Sequence, residues 1–414
     1  MLRQIEGSQA VAETVALCRP EVVCAYPISP QTHIIEAVGA KVKSGELTPC
    51  EFINVESEFA AMSVSIGASA AGARTYTATA SQGLLFMAEA VYNAAGLGLP
   101  IVMTLANRAI GAPINIWNDH SDAMALRDAG WIQLFAETNQ EAADLHVMAF
   151  RLAEELSVPV MVCMDGFILT HAVEGVDLLD QATVDRLLPP FEPRQVVDPA
   201  DPVSIGAMVG PEAFEEVRYL AHLRHLDALE RVPAIAAEFR AATGRDSGGL
   251  LHAYRTEDAD TVVVAMGSVL GTIKDAVDQR RAAGERIGVL GVTTFRPFPV
   301  AAVRAALARA TTVVVLEKAF NTGGGGVLAT DVALAVGDPA IRVAGVVAGL
   351  GGRPVTRQSL ADLFDRAAAG QLDELTFLDL DHAVVDQERR RMAGARRPPP
   401  VSATSGRADA GGVT

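Results

Sequence analysis

The stretch Glu56-Ser-Glu-Phe-Ala-Ala-Met-Ser-Val-Ser-Ile-Gly-Ala-Ser-Ala-Ala-Gly72 decides the fold, because it places a carboxylate at the head of a small, apolar helix. The residues before it, Phe52 to Val55, are strand-like, and so are those after it, Thr75 to Ala80. Glu58 is therefore predicted to lie at a strand-to-helix junction, at the carboxyl edge of a parallel sheet, where open α/β folds bind ligands. The position also suits a first-turn glutamate that only complements the helix dipole. Spacing alone leaves both interpretations open.

Strands and helices continue to alternate on both sides of this stretch. Apolar residues at three- and four-residue spacing predict helices from Ser81 to Ala95 and from Asn139 to Leu156. Such alternation predicts an α/β fold with a parallel sheet covered on both faces. The strand-like segments are Val22 to Ile28, Phe52 to Val55, Thr75 to Ala80, Pro100 to Ala106, Trp131 to Phe135 and Pro159 to Met164.

The second half of the chain is predicted to hold a connector, another α/β domain and a tail. Residues 189–249 contain a proline-stiffened stretch and then a long charged helix, Glu212 to Gly244. The chain is accordingly divided into 1–188, 189–249, 250–388 and a mobile tail, 389–414, rich in Arg, Pro, Ser, Gly and Ala. The domain from 250 has predicted strands at Thr261 to Met266, Ile287 to Val292, Thr311 to Leu316 and Ile341 to Val346, and predicted helices at Thr272 to Ala283, Val300 to Arg309, Val327 to Val336 and Ser359 to Ala369.

Composition points to a large soluble protein with ample core. At 414 residues the chain is long enough for about two domains. The net charge of −16 argues against nucleic acid or an anionic membrane as a partner. No apolar run approaches the roughly 20 residues of a membrane span, and the first residues lack a signal-peptide layout. A cytoplasmic location is therefore expected.

The four cysteines, Cys18, Cys24, Cys50 and Cys163, are scattered and form no Cys-x-x-Cys pair. An iron–sulfur cluster usually takes four closely organised thiolates. We therefore expect no cluster on this chain, and buried or half-buried free thiols instead.

Several motifs resemble a known family. A glutamate followed nine positions later by a glycine, Glu58 and Gly67, resembles the pyrimidine-binding domain of thiamine-diphosphate enzymes. Four further motifs resemble the α subunit of 2-oxoacid:ferredoxin oxidoreductases, the pyruvate synthase family: Ala25-Tyr-Pro-Ile-Ser-Pro-Gln-Thr32, Thr77-Ala-Thr-Ala-Ser-Gln-Gly83, Asn118-Asp-His-Ser-Asp122 and Asp165-Gly-Phe-Ile-Leu-Thr-His171. The resemblance runs from about Gly7 to about Phe364. It implies that the second α/β domain is of the transketolase carboxyl-terminal type.

The resemblance also implies a cofactor site shared with another subunit. Enzymes of this class hold the diphosphate of the cofactor through Mg²⁺ at a Gly-Asp-Gly turn, and this sequence contains no Gly-Asp-Gly. The chain is therefore expected to supply the pyrimidine half of a thiamine diphosphate site, and a β subunit the Mg²⁺–diphosphate half. Glu58 would be the catalytic, cofactor-binding residue, which hydrogen-bonds a pyrimidine ring nitrogen. No metal ligand is assigned within this chain.

For the substrate carboxylate, the resemblance implies Ser29 and Arg108. Arg108 follows a strand and Ser29 follows the first strand, so both are expected at the same sheet edge as Glu58. A guanidinium fork suits a carboxylate. Many pyruvate enzymes resemble Tyr-Pro-Ile-Thr-Pro where this chain has Ser29, and the missing methyl group leaves room for a bulkier acid.

Three further features are interpreted as structural. His120 is expected to stabilise its loop, with catalysis as the alternative, because further ligands at metal spacing are missing. Asp165 is expected to cap the turn into Gly166. Asn321-Thr-Gly-Gly-Gly-Gly-Val327 precedes a helix as an anion-binding turn does, but it lacks the Gly-Lys-Ser/Thr of a phosphate loop, so a tight turn is favoured.

The function implied by this resemblance is oxidative decarboxylation of a 2-oxoacid, with pyruvate first, to acyl-coenzyme A and carbon dioxide. Electrons would pass through iron–sulfur clusters on partners, the γ and ferredoxin-like subunits or domains, to ferredoxin or to an NAD-linked subunit. Coenzyme A would be the co-substrate. The alternatives are a branched-chain or aryl 2-oxoacid such as phenylglyoxylate, half of a non-redox thiamine enzyme, and a non-catalytic scaffold subunit.

Overall fold

The structure is a computed structural model that describes residues 2–394. Its strands are β1 (Leu2–Glu6), β2 (Val22–Ala25), β3 (Glu51–Asn54), β4 (Thr75–Thr79), β5 (Ile101–Asn107), β6 (Ile132–Phe135), β7 (Val160–Asp165), β8 (Val173–Asp177), β9 (Leu251–Tyr254), β10 (Thr261–Ala265), β11 (Ile287–Val292), β12 (Thr294–Arg296), β13 (Thr312–Glu317), β14 (Arg342–Val347) and β15 (Leu375–Phe377).

The helices that cover these strands are α1 (Gly7–Leu17), α2 (Thr32–Ser44), α3 (Glu58–Ala70), α4 (Ser81–Phe86), α5 (Ala88–Leu97), α6 (Ser121–Ala125), α7 (Asn139–Leu156), α8 (Gln181–Leu187), α9 (Phe214–Thr243), α10 (Val269–Ala282), α11 (Val300–Leu307), α12 (Val327–Val336), α13 (Arg357–Ala368) and α14 (His382–Gly394). Among the helices of residues 2–394, none combines the length and the apolar character needed to cross a bilayer.

The first half of the chain forms a seven-stranded sheet in the order β12-β6-β7-β5-β4-β2-β3. Every pairing from β6 through β3 is parallel, which confirms the parallel sheet predicted from the alternation. The helix predicted from Ser81 to Ala95 is two helices, α4 and α5, which meet at Met87. The carboxyl ends of β2, β3, β4, β5 and β7 lie along one edge of this sheet, and the predicted site residues follow them.

A six-stranded sheet in the order β15-β14-β13-β10-β11-β9 forms the second half. Its pairings are parallel except for β9, which runs antiparallel to β11. The four predicted strands and four predicted helices of this half are all present, with ends shifted by a few residues.

Strand β12 connects the two halves in a way that the sequence did not predict. It follows β11 directly, yet it pairs antiparallel with β6 of the first sheet. The backbone N–H of Phe135 donates to the carbonyl of Thr293 at 2.7 Å. Phe295 is fully buried, and its ring packs edge-on against that of Phe135, with centroids 6.0 Å apart. A segment of the second half therefore completes the sheet of the first.

The hydrophobic core is continuous across both halves. One cluster of buried side chains joins Met103 and Trp131 of the first half to Val262 and Val313 of the second. Shared apolar burial of this kind makes the two halves stabilise each other. The predicted division at 188 and 250 remains a prediction.

Two elements lie outside the main sheets. Strand β1 pairs antiparallel with β8 as a two-stranded ribbon, with Glu6 opposite Val173. Residues up to Leu378 belong to one unit, and α14 belongs to another that begins at Asp379. The stretch from 389, predicted as a mobile tail, is helical to Gly394, and residues 395–414 lie outside the described part of the chain.

Candidate active site

Glu58 is the first residue of α3 and lies at the carboxyl end of β3, as predicted. The Ser57 hydroxyl caps the helix by accepting a hydrogen bond from the Ala60 N–H at 3.2 Å. This cap fixes the first turn and turns Glu58 inward, so that only 8 % of the residue is exposed. Glu56, two residues earlier, is exposed. The structure thus distinguishes the two neighbouring carboxylates by burial.

Gly83 of α4 makes room for the Glu58 side chain. A Cβ atom at Gly83 would lie 2.8 Å from Glu58 Oε1 and 2.6 Å from Thr79 Oγ1, both closer than real Cβ contacts. The Thr79 hydroxyl is buried without a hydrogen-bond partner, and the Glu58 carboxylate has no hydrogen bond or ion pair within residues 2–394. Buried polar atoms normally find partners, so this pair is suited to a polar ligand.

Arg108 follows β5 and is held by backbone oxygens. Its Nη1 donates to the carbonyl of Ser29 at 2.9 Å and its Nε donates to the carbonyl of Asn115 at 3.3 Å. The residue is 6 % exposed, and burial lowers the pKa of its guanidinium while the nearby Asp122 raises it. Nη2 has no partner among the described residues, which leaves one side of the fork for an anionic ligand.

Ser29 lies beside Arg108, but its exposed side chain does not make that contact. The contact uses the Ser29 carbonyl. Gln31 fixes this turn, because its amide donates to the carbonyl of Tyr26 at 3.0 Å and to that of Ala78 at 2.9 Å. The structure therefore brings Ser29 and Arg108 together, and it places Glu58 along the same sheet edge without a direct contact to either.

Asp122 is a site residue that sequence reasoning did not single out. Its carboxylate accepts hydrogen bonds from the backbone N–H of Ser81, Arg108 and Ala123 and from the amide of Asn107, at 2.8–3.0 Å. Burial raises its pKa to about 6, against the lowering effect of those donors. Asp122 joins the end of β4 to the end of β5 and so positions the backbone of Arg108. The motif from Asn118 to Asp122 contained this residue. However, Asp122 lies fourteen residues after Arg108, and the sequence gave no sign that the two are in contact.

Asp165 does not have the local role predicted for it, whereas His120 makes the loop-stabilising hydrogen bonds that were expected and makes them to distant residues. The Asp165 side chain does not cap its own turn, because it binds His120 Nε2 at 2.7 Å, Lys318 Nζ at 3.0 Å and the Ser268 N–H at 3.1 Å, and it also accepts from the Ser268 hydroxyl. Burial raises the pKa of Asp165, but Lys318 and His120 outweigh it and hold the pKa well below its usual range. His120 and Asp165 therefore join the loop after β5 to the second half of the chain.

The glycine-rich turn before α12 is structural. The Asn321 N–H donates to the carbonyl of Gly325 at 2.7 Å and closes a tight turn. The Glu317 carboxylate accepts from the N–H groups of Val327 and Leu328 at 2.8 and 2.9 Å, and so occupies the helix N-terminus that a phosphate would need. These contacts support the interpretation drawn from the sequence.

Comparison with protein families agrees with this geometry. Residues 13–238 match the model described as pyruvate flavodoxin/ferredoxin oxidoreductase, thiamine diphosphate-binding, which covers more than half of the chain. The chain belongs to the pyruvate flavodoxin/ferredoxin oxidoreductase family. Residues 259–360 match core domain II of pyruvate:ferredoxin oxidoreductase. The resemblance seen in the motifs is thereby confirmed, and so is the α/β fold class.

Relatives of this family member match over nearly their whole length. The chain is 49 % identical over 385 residues to the pyruvate synthase subunit PorA of Methanosarcina barkeri, covering 91 % of this chain and 96 % of that one. It is 38 % identical over 377 residues to the ketoisovalerate oxidoreductase subunit VorA of Pyrococcus horikoshii, covering 89 % and 95 %. The chain is therefore an α-type subunit of a 2-oxoacid oxidoreductase, an enzyme that works with partner subunits.

Solved structures share the fold of this oxidoreductase subunit. A 2-oxoglutarate:ferredoxin oxidoreductase from Magnetococcus marinus superposes with a TM-score of 0.71 and 19 % identity, covering 88 % of this chain and 65 % of that chain. A split-gene transketolase superposes with a TM-score of 0.53 and 16 % identity, covering 87 % and 98 %. At these identities the likeness shows the fold alone.

Proposed function

We propose that this chain is the α subunit of a pyruvate:ferredoxin oxidoreductase that converts pyruvate, coenzyme A and an oxidised acceptor to acetyl-coenzyme A and carbon dioxide. The observation that carries the proposal is the buried Glu58 carboxylate, which lies against Gly83 without a hydrogen-bond partner in residues 2–394. It lies on the sheet edge that also holds Ser29 and Arg108. The relatives named as pyruvate synthase subunits favour pyruvate as the substrate.

Glu58 would bind the aminopyrimidine ring of thiamine diphosphate. A buried carboxylate beside an unpaired hydroxyl, Thr79 Oγ1, fits a ring that carries both acceptor and donor nitrogens. When bound, thiamine diphosphate supplies the electron sink for decarboxylation. The task of Glu58 is to hold and share a proton at the ring nitrogen, which is general acid–base chemistry at one fixed atom.

Arg108 and Ser29 would hold the carboxylate of the 2-oxoacid. The guanidinium is anchored through Nη1 and Nε. Its Nη2, which has no partner in the described part of the chain, is therefore presented without further ordering of the side chain. A charge-assisted hydrogen bond from Nη2 and one from the Ser29 hydroxyl would orient the substrate. Asp122 acts on this pair indirectly, by fixing the backbone of Arg108.

The Mg²⁺–diphosphate half of the cofactor site would come from a β subunit. The sequence has no Gly-Asp-Gly turn, and the candidate site opens on a surface rich in exposed apolar side chains. These follow the strands of the same edge or lie in the helices beside them: Tyr26, Phe59, Phe86, Ile114, Trp117 and Ile168. Exposed aromatic and aliphatic side chains that gather at one sheet edge are typical of a protein interface.

Electron transfer would depend on other subunits, the γ and ferredoxin-like partners. The free cysteines Cys18, Cys24, Cys50 and Cys163 are scattered along the chain, and within the described residues they form no group of the kind that holds a cluster. The iron–sulfur clusters that pass electrons to ferredoxin, or to an NAD-linked acceptor, would therefore lie on these partners.

The test is a matched pair of glutamate substitutions in the assembled enzyme. Glu58→Gln keeps the shape and removes the shared proton, so pyruvate-dependent acceptor reduction should fall by about 10²–10⁴-fold. Glu56→Gln alters an exposed carboxylate two residues away and should leave the rate within a few-fold of wild type. Equal effects of the two substitutions would remove Glu58 from its assigned role.

A bulkier 2-oxoacid is the second candidate substrate, and Ser29 favours it. Serine lacks the methyl group of the threonine found in many pyruvate enzymes, and a ketoisovalerate oxidoreductase subunit is among the relatives. Ser29→Thr should spare pyruvate and penalise 2-oxoisovalerate and phenylglyoxylate by about 1–3 kcal/mol in kcat/KM. If all three acids change equally, the Ser29 side chain does not line the pocket.

A further inference from the structure

Three side chains of the types that ligate metals, from distant parts of the sequence, converge outside the candidate active site. Glu6 ends β1, His33 lies in the first turn of α2, and His171 lies between β7 and β8. One ligand atom from each of these residues lies within 4.8 Å of the others. No step of the proposed function uses any of them.

The local geometry already brings two of the ligand atoms into contact and makes a nitrogen of the third residue available. His33 Nδ1 lies 2.7 Å from Glu6 Oε1, and the rings of His33 and His171 have centroids 4.7 Å apart. His171 Nδ1 lies 2.7 Å from Thr170 Oγ1. When Nδ1–H donates to that hydroxyl, Nε2 of His171 is left as an acceptor, which is the arrangement that orients most metal-bound histidines.

The backbone around these residues is well braced. The Gly7 N–H donates to the carbonyl of Ala172 at 3.0 Å, and the Ser8 N–H donates to that of Thr170 at 2.9 Å. These bonds tie the two residues after Glu6 to the residues on both sides of His171. Two of the three side chains are therefore positioned by the same short stretch of paired backbone, and only the exposed His33 has to adjust.

We propose that Glu6, His33 and His171 form a binding site for a divalent cation of the zinc class. Two imidazoles and one carboxylate are a recognised zinc ligand set, with bonds of about 2.0–2.2 Å and a fourth position open to solvent. Neighbouring ligand atoms of a tetrahedral ion are then about 3.4 Å apart. This is more than the 2.7 Å between His33 Nδ1 and Glu6 Oε1 and less than the 4.8 Å within which one ligand atom from each of the three residues lies. The His33 side chain is 45 % exposed, so it is free to shift until the ligand distances suit the ion. The same exposure gives the ion a path of entry.

A Glu–His hydrogen bond at a protein surface needs no metal, so the argument rests on His171. Its ring stands against that of His33, and no carboxylate within residues 2–394 bonds it. The ion would tie β1, α2 and the β7–β8 turn together. One of its ligands, His33, lies four residues after Ser29. We therefore expect a structural role, in which the cation steadies the start of α2 and the turn before it.

The test uses the untagged full-length chain, stripped of metal and titrated with Zn²⁺ by calorimetry and with Co²⁺ by visible absorption. Wild type should bind one equivalent of either ion, with the absorption of four-coordinate Co²⁺. Removing a residue that hydrogen-bonds a metal ligand lowers metal affinity by about 10–100-fold. Removing a ligand itself should cost more, so His33→Gln, His171→Gln and Glu6→Gln should each lower the affinity for the ion by at least about 100-fold. His222→Gln, which removes an exposed histidine on α9, should cost nothing.

Thermal unfolding provides the second readout. A saturating cation that binds only the folded chain raises Tm, so Zn²⁺ should raise the Tm of wild type and of His222→Gln but not of the other three variants. Tm values measured without metal show whether each variant is folded. Failure of the wild type to bind one equivalent, or equal binding by His171→Gln, would overturn the proposal without touching the assignment of Glu58.

Discussion

Replacing Gly83 by alanine tests whether the Glu58 side chain must keep its present position, because the new methyl group would collide with it. The new Cβ would lie 2.6 Å from Thr79 Oγ1, 2.8 Å from Glu58 Oε1 and 2.9 Å from Glu58 Cγ, whereas ordinary contact begins at 3.4 Å. The Glu58 side chain must therefore move by roughly 0.5 Å or more to restore normal contact distances. Thr79 ends a central strand and is less able to give way.

The expected result is a large loss of rate in a folded protein. Misplacement of a catalytic group by about 1 Å can cost 10²-fold, so Gly83→Ala should lower kcat by about 10- to 100-fold. The assay is pyruvate-dependent reduction of ferredoxin by the assembled enzyme, with thiamine diphosphate and Mg²⁺ saturating. Circular dichroism of the isolated chain checks that the fold is retained.

Gly67→Ala is the matched control, because Gly67 lies in the same helix as Glu58 and its Cβ would meet nothing within 4 Å. Alanine in a helix interior gains about 0.5–1 kcal/mol over glycine, so this variant should be slightly more stable and fully active. If Gly83→Ala also gains stability and keeps the wild-type rate, catalysis does not require the Glu58 carboxylate to lie against Gly83 of α4.

Three further outcomes follow from contacts elsewhere in the chain. Arg108→Ala should raise the KM for the 2-oxoacid more than it lowers kcat. The lost charge-assisted hydrogen bonds correspond to about 1.5–3 kcal/mol of substrate binding. Asp165→Asn leaves Lys318 buried without its counter-charge, so urea unfolding should show a loss of about 3–5 kcal/mol. The hydrogen bond that His252 Nε2 donates to the Glu141 carboxylate raises the pKa of His252. The stability that this pair contributes is therefore complete below pH about 6.5 and is lost as pH rises through the higher folded value. His252→Gln should therefore lower Tm at pH about 6 and much less at pH about 9.

Conservative or exposed substitutions serve as controls for these outcomes. Arg108→Lys should recover only part of the affinity, and an unchanged KM in Arg108→Ala would mean that another group holds the carboxylate. Asp128→Asn alters an exposed carboxylate and should leave stability within about 0.5 kcal/mol of wild type. A Tm deficit in His252→Gln that is the same at both pH values would exclude a protonated His252 as its cause.

Periodicity allowed the two main sheets and the placement of Glu58 to be predicted from the sequence. Strands β10, β11, β13 and β14 are apolar and bounded by turns, and α7 carries a regular apolar face, so local patterns contain the information. The position of Glu58 at the sheet edge was predicted because a strand, a carboxylate and a small-residue helix are consecutive in the chain. The resemblance to a family added Ser29 and Arg108, which no local pattern would have selected.

Contacts between distant residues were missed because nothing local encodes them. Strand β12 is three residues long, and only the position of β6 makes it a strand. Asp165 was assigned to its own turn, since the sequence does not reveal that Ser268 and Lys318 fold onto it from more than a hundred residues away. The break at Met87 was also missed, because the Ser81 to Ala95 stretch is helical in pattern throughout.

The crossing of β12 into the first sheet has a consequence for how the chain is made. Synthesis runs from the amino terminus, so β6 is released from the ribosome well before residues 294–296 that will cover it. During that interval β6 is an open edge strand with unpaired N–H and C=O groups, which other nascent chains could pair with. A chain truncated before residue 294 would keep β6 as an uncovered edge, and we expect it to self-associate more readily than the full chain. The final third of the polypeptide thus protects the first from self-association.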